Sequence, residues 1–500
     1  MRDEEQKFAE LEASVPIEDL EKYPALMSDS SSAIRNMSAR FLKTFGDIIG
    51  IDLRARVPSM LLNNSPELLE EFLMLERIKR AGIIEHCSER TIYPDEPKMF
   101  SYVAKLTTKR EPNTFAGGYS YSSRKDAFRA ALGEGVERWC LNVFLPKEFI
   151  DAPYKKIKDK AINIMNIAGL SAERRSAGHP RFNLKYDEDS VLRWIKGYSL
   201  TREKEVFLPL QLVTFAYNNA QRERNEPMII FPISNGAAAH STLDDAVLNG
   251  LMEAIERDAF MISWVNRLSP PILDSSSVTD ERLQKVFSDL RRYDLDFSLL
   301  LSPSDIPVHN VICVIKDKSK TGPAVAVGAD SEFDFATAVL AAVKEALAVR
   351  RGVRFDIQRY AKEGRELPKD ASTLDREGRL LWWSTPDKLN DIAFFADHGR
   401  KIKEQDLPRY PEFKTAKEKL NYLVKNLKEK DIEVSYAEIL EKDLAEKLNM
   451  RAVFVVAPGL QPLHLNESMP YFWGDRMSIV PQLCGYKSAD KPNTVPHPFP

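Results

Sequence analysis

Little in this 500-residue chain marks it for secretion, a membrane or nucleic acid. It has only four cysteines, Cys87, Cys140, Cys313 and Cys484, with no CxxC pair among them. That argues against a disulfide framework or a zinc site and makes a reducing cytoplasm the expected location. The seven histidines show no metal-ligand spacing, and His240, in the repeated region described below, reads as a structural loop residue. No apolar run approaches the roughly 18–20 residues that span a bilayer. The chain opens Met-Arg-Asp-Glu-Glu-Gln-Lys, with charge where a signal peptide would carry an apolar stretch. A net charge of −3 supplies no global attraction to nucleic acid or to an anionic membrane. GxxxxGK[ST], GxGxxG and a kinase-type His-Arg-Asp are all missing, and no Cys-His or Ser-His-Asp constellation stands out.

What remains is ordinary for a folded domain: 43% hydrophobic, 29% charged and 9% aromatic residues, enough to bury a sizeable core. Residues 66–82 read as an amphipathic helix ended by Gly82. Strand-like and helix-like segments alternate from about 95 to 350, so the fold class is mixed α+β. A charged stretch at 361–379 reads as a surface excursion. Helices are expected near 414–428 and 438–448 and a strand at 452–457. Four prolines in the last ten residues predict an extended, polyproline-like tail over 491–500.

The informative feature is a degenerate repeat, each copy reading as strand, Gly-containing loop, capped helix. Met99–Leu106 leads to Gly117-Gly118 and a helix opening at Ser123-x-x-Asp126. Met228-Ile-Ile-Phe231 leads to Ser234-Asn235-Gly236 and a helix opening at Thr242-x-x-Asp245. Ala324–Gly328 leads to a helix capped by Asp334. These openings are relatives of the capping box. Eleven residues after each cap comes a glutamate: Glu134, Glu253 and Glu345. The first two copies continue alike, as Glu134-Gly-Val-Glu137-Arg138 and Glu253-Ala-Ile-Glu256-Arg257; in the third the second acid is gone and the arginine is Arg350.

At 100° per residue, Glu134, Glu137 and Arg138 share one side of a helix, and Asp245, Asn249, Glu253, Glu256 and Arg257 form one polar stripe on another. A solvated charged face, with each Glu–Arg pair worth a few tenths of a kcal/mol, accounts for either helix alone. It does not account for the same acids at the same offset twice. Converging carboxylates repel, and oxygen ligands in that number suit a hard cation such as Mg²⁺ bridging to phosphate. The neighbouring arginines and the helix N-termini suit the phosphate oxygens. The pattern is that of a nucleotide–metal site.

Two stretches, Ala130–Arg138 and Ser234–Ala259, give the chain a resemblance to the YcaO family, covering about residues 60–500. Trp194-Ile-Lys-Gly197 leading to Leu208-Pro209, and the helix with Glu345 and Arg350, add to it. The resemblance implies a YcaO-type fold of repeated strand–Gly loop–helix units around an ATP/Mg²⁺ site. It implies metal ligands Glu134, Glu137, Asp245, Glu253 and Glu256. It implies ATP or phosphate contacts from Arg138, Ser234, Asn235, Ser241, Arg257, Glu345 and Arg350. Where the family pattern has Gly-Asn, this chain has His240-Ser241, and Ala348 stands where a Gln is common.

The terminal Pro496-His-Pro498-Phe-Pro500 is a PxPxP of the kind seen in azoline-forming members, which assigns Pro496, Pro498 and Pro500 to the active site by resemblance. The implied organisation is an extension over 1–60, a catalytic domain over 61–490 and a tail over 491–500. The implied reaction is ATP-dependent cyclodehydration of Cys, Ser or Thr in a ribosomally made precursor peptide to thiazoline or oxazoline. A thioamide- or macroamidine-forming enzyme and a non-cyclising ATP-binding accessory are the alternatives. The paired CxxC motifs usual in the E1-like leader-binding partner are missing here, so a separate partner is expected, with a flavin dehydrogenase for oxidation to azoles; a homodimer is compatible with the resemblance.

Overall fold

Each repeat folds as a strand followed by a helix whose first turn is closed by a side chain. The computed structural model describes residues 66–90, 93–108, 114–319, 322–472 and 474–500. The expected extension over 1–60 lies outside them. The chain divides into two units, Met1–Arg80 and Ala81–Pro500. Within the first, helix α1 (Pro66–Arg80) opens on proline and ends with Arg77, Lys79 and Arg80 in its last turn, an arrangement that suits the free N–H groups of its start and the dipole of its end.

In the second unit, β1 (Ile84–Glu89), β2 (Phe100–Leu106) and β3 (Phe115–Ser120) make a three-stranded antiparallel sheet. Next come β4 (Ile150–Pro153), β5 (Val191–Ser199), β6 (Lys204–Pro209) and β7 (Ala237–His240). Then follow β8 (Ile272–Leu273), β9 (Asp296–Leu301), β10 (His309–Lys316), β11 (Val325–Glu332) and β12 (Lys401–Ile402), and last β13 (Ser435–Glu438) and β14 (Arg451–Val456). One sheet runs β4-β5-β13-β14-β7 with β6 also paired to β5; the other runs β11-β10-β9-β8-β12. All eight residues of β10 are buried.

Helix α2 (Arg124–Val143) follows β3, and α3 (Leu243–Val265) follows β7. After α4 (Glu281–Arg292), α5 (Phe335–Lys362) follows β11. The hydroxyl of Ser123 accepts from Asp126 N–H, that of Thr242 from Asp245 N–H, and the Asp334 carboxylate from Thr337 N–H. Such caps satisfy N–H groups that the first turn leaves unpaired.

Gly236 lies in the expected loop, but the glycines of the other two copies do not. Gly117 and Gly118 lie inside β3 and Gly328 inside β11, and residues 228–231 form no strand. Their role is close approach of helix to strand. A Cβ on Gly118 would sit 2.0 Å from the Ala127 carbonyl oxygen, and one on Gly328 would sit 2.3 Å from the Ala346 nitrogen. In the middle copy the contact runs through Gly236 (φ +96°) and Gly250, whose Cβ would fall 2.4 Å from the Gly236 oxygen. Each acid-bearing helix therefore lies backbone to backbone on its strand.

The 361–379 stretch is also corrected. Residues 361–366 are exposed, but α6 (Arg376–Trp382) follows and carries Arg379, whose relative exposure is 0%. Further along come α7 (Ala416–Lys428), α8 (Lys442–Leu448) and α9 (Arg476–Leu483), with several helices of four to six residues between the longer elements.

Two glycine substitutions separate these roles. Gly352, inside α5, has nothing within 4 Å of an added Cβ, so Gly352→Ala should stabilise by about 0.5–1 kcal/mol. Gly118→Ala should destabilise by about 3 kcal/mol or more through main-chain overlap. Urea midpoints of the two variants check both signs.

Candidate functional site

Helices α2 and α3 bring their acids to one recess. Burial pushes the Glu137 carboxyl up to about 8, with the like charges of Glu253 and Glu134 adding to it and Arg138 and Arg257 opposing. A carboxyl on one helix that feels an acid on the other places the two stripes face to face. On α2, Arg138 Nε lies 3.6 Å from Glu134 and 3.5 Å from Glu137. On α3, Arg257 pairs with Glu256 and, at 3.2 Å, with Glu253. Glu137, Glu256 and Arg257 side chains are only 10–16% exposed, so the recess is drier than a helix surface.

The third unit closes the recess. Glu345 Oε2 accepts the Ala329 N–H at 2.7 Å, which ties α5 to β11. Burial raises the Glu345 carboxyl, and Arg257, lowering it, and Glu253, raising it, both act on it. Glu256 is likewise raised, by burial and then by Glu345 and Glu253 against Arg257. Asp330 of β11 is raised by burial and by Glu256. Six carboxyls thus face Arg138, Arg257, Arg376 and Lys344. The formal excess is negative, and the donors are all oxygen. That set fits a hard divalent cation, with guanidiniums beside it for the anion the cation carries.

Three of these groups, Asp330, Lys344 and Arg376, were not singled out from the sequence. Asp330 directly follows the uncharged run Val325–Ala329 of its strand, a visible change of character. Arg376 belongs to the stretch read as surface; the Asp375 side chain caps α6 through Gly378 N–H and sets Arg376 at its first residue. Burial lowers the Arg376 pKa, and Arg138, Glu134, Arg257 and Glu345 all act on it.

Other expected residues sit differently. Asn235 and Ser234 precede Gly236, whose N–H donates to Glu253 Oε2 at 3.1 Å, so this loop borders the recess. Asp245 and Ser241 stand at the start of α3, two turns and about 12 Å of helical rise from Glu253. There Asp245 bonds the Thr242 hydroxyl and Ser241 the His240 ring. Arg350 is not in the recess. Five residues beyond Glu345, it points about 140° away around α5. Its guanidinium is buried against Glu96 at 3.1 Å, Asp317 at 2.8 Å and the Pro323 carbonyl. The phosphate contact expected of it is overturned by that pairing.

The tail lies along the C-terminal half of α3. No helix or strand occurs from 484 to 500. Prolines supply no N–H, so the tail is held through its carbonyls: Trp264 donates to Val495 O at 3.0 Å, Trp383 to Pro496 O at 2.9 Å, and Arg379 to Phe499 O at 3.1 Å. His497 bonds the His464 carbonyl at 2.8 Å. Phe499 packs 4.7 Å from Phe260 and lies under the Arg257 guanidinium at 4.2 Å. Pro496 and Pro498 are buried and Pro500 is half-buried at the end of this run.

The raised Glu137 carboxyl gives a signed pH dependence. Its pKa is about 8 in the fold against 4.5 for the free side chain, so the folded form holds the extra proton between those values. Chelator-treated protein should lose stability as pH climbs from about 4.5 to about 8, by at most roughly 1.4 kcal/mol per pH unit from this group. Glu137→Gln should flatten that slope, and added Mg²⁺ should raise the melting temperature more at pH 8 than at pH 5. Melting curves across pH check all three.

Residues 120–461 match the family model described as YcaO cyclodehydratase, ATP- and Mg²⁺-binding. An uncharacterised protein of Methanothermobacter thermautotrophicus is 25% identical over 281 residues, 55% of this chain and 67% of that one. Among solved structures, a heterocyclase in complex with substrate and cofactor superposes with a TM-score of 0.68 at 20% identity, over 85% of this chain and 57% of its own. The YcaO of Methanopyrus kandleri bound with AMPPCP and Mg²⁺ superposes with a TM-score of 0.54 at 19% identity, over 79% and 91%. The chain thus spans little more than half of the heterocyclase's length, and these likenesses speak for the fold. The family match takes in both acid-bearing helices and the Gly236 loop between them, and this chain belongs to the YcaO family.

Proposed function

We propose that the chain uses ATP and Mg²⁺ to cyclodehydrate Cys, Ser or Thr of a ribosomally made precursor peptide to thiazoline or oxazoline. The observation that carries this is the meeting of Glu137 and Glu253 across two helices, with arginines beside both. Glu134, Glu137, Glu253 and Glu256 would hold Mg²⁺, with Asp330 and Glu345 behind them. Arg138, Arg257 and Arg376 would take phosphate oxygens, and the Ser234–Asn235 loop would border them. When bound, Mg²⁺-ATP supplies the phosphoryl group that lets a carbonyl oxygen depart as phosphate.

The nucleophile belongs to the peptide, which suits a recess of acids and arginines; the Ser241–His240 pair stands away from it, at the start of α3. What the chain contributes is position and charge neutralisation. Arg257 is fixed by Glu253 and Glu256 on one side and by the Phe499 ring below, so it is oriented before a ligand arrives. The buried tail excludes water from that flank, and Pro496, Pro498 and Pro500 act by holding Phe499 there. Asp245 and Ser241 serve the mouth of the site, at the N-terminus of α3. A separate E1-like protein would present the leader of the precursor, and a flavin dehydrogenase would follow where azoles are made.

Glu253→Gln keeps the oxygen that accepts the Gly236 N–H, so the fold should survive while ATP-dependent turnover falls by roughly 10²-fold or more. Turnover at the wild-type rate would remove Glu253 from the metal site. Mass spectrometry of the treated peptide then separates the readings. A loss of 18 Da per site supports cyclodehydration, a gain of 16 Da a thioamide, and no change an accessory role.

A further inference from the structure

Beside the recess lies a small apolar cleft between the loop before β7 and the loop after β14. Its walls include Leu212, Ile230, Ile233 and Pro458, and no lining residue is charged. Two amides also line it, Asn235 and Gln461. Each has a buried polar atom with no partner: the donor Asn235 Nδ2 and the acceptor Gln461 Oε1. A buried polar atom without a partner is costly, and two of opposite kind on an apolar cleft mark a place where a ligand supplies the partners.

The polarity of Gln461 is fixed. Its Nε2 donates to Pro462 O at 3.1 Å and Tyr471 O at 2.8 Å, so a flipped amide would set oxygen against two carbonyls. Its own N–H donates to Asp258 Oδ1 at 2.8 Å, and Asp258 is held by Arg476. The side chain is 1% exposed. Gln461 therefore offers an acceptor and nothing else, while Asn235, one residue before the Gly236 that bonds Glu253, offers the donor.

We infer that this cleft binds a backbone amide of the substrate peptide, next to the residue being modified, with an apolar side chain on the Leu212–Ile230 wall. A trans peptide unit points its N–H and C=O to opposite sides, which suits a donor and an acceptor delivered by two different loops. A nucleobase edge presents both on one side and would ask one wall for both groups. The uncharged lining rejects acidic and basic side chains. The inference rests on the peptide-substrate reading above and adds a preference for an apolar neighbour at the modified residue.

The test uses binding rather than turnover, on the full chain. Saturation-transfer NMR with N-acetyl-leucine N-methylamide should show transfer to the leucine methyls, with none to N-acetyl-aspartate N-methylamide. Ile230→Trp, which fills the cleft, should cut the leucine signal at least about fivefold, and Gln461→Met, which removes the acceptor, should do the same at an unchanged near-ultraviolet circular dichroism spectrum. The second variant decides the matter if the first does not fold. Equal transfer to both probes, an undiminished signal in a folded variant, or displacement of the leucine probe by adenosine would overturn the inference, the last in favour of a nucleobase site. If leucine binds as stated but no peptide loses 18 Da, the cyclodehydration reading fails and the cleft assignment stands.

Discussion

Carboxylates on three helices and a strand are pressed together with too little positive charge to balance them. Burying an unpaired carboxylate is costly, and burying several that repel one another is costlier still. The raised pKa values of Glu137, Glu256, Asp330 and Glu345 are the record of that conflict in the metal-free protein. The surrounding structure makes the conflict tolerable: Arg138 and Arg257 each bridge two acids of their own helix, and backbone N–H groups of Gly236 and Ala329 bond Glu253 and Glu345. A divalent cation at the proposed site would relieve what remains.

The tail and α6 belong to the same arrangement. One short helix presents Arg376 to the acids and Arg379 to the tail, and Trp383 just beyond it holds Pro496. Through Phe499 the tail reaches Arg257. The end of the chain, the α6 segment and the second acidic helix therefore form one packed body with Trp264, Trp383 and Phe260 at its centre.

The acids were legible in the sequence because helical periodicity is strict: a repeated Glu-x-x-Glu-Arg at a constant distance from a cap fixes both face and height. The caps themselves were legible for the same reason. Arg350 was misplaced because one extra residue between glutamate and arginine turns the side chain by about 100°, off the face that Arg138 and Arg257 occupy. Arg376 and Asp330 were missed because their approach depends on how separate elements pack, which no local pattern encodes. The charged run at 361–379 looked solvated, yet Arg379 is sealed in the core by Glu467 and the Phe499 and His464 carbonyls. Burial of an arginine follows from partners distant in sequence.

The glycines of β3 and β11 carry a mechanical implication. At Gly118 and Gly328 the strand main chain comes directly against the helix main chain, and at those points there is no strand side chain to repack. The height of each glutamate above its sheet is then set by covalent geometry and van der Waals radii rather than by rotamers. A site that must hold a small ion between two helices gains a spacer that neither swells nor slips when the hydrophobic interior is rearranged elsewhere.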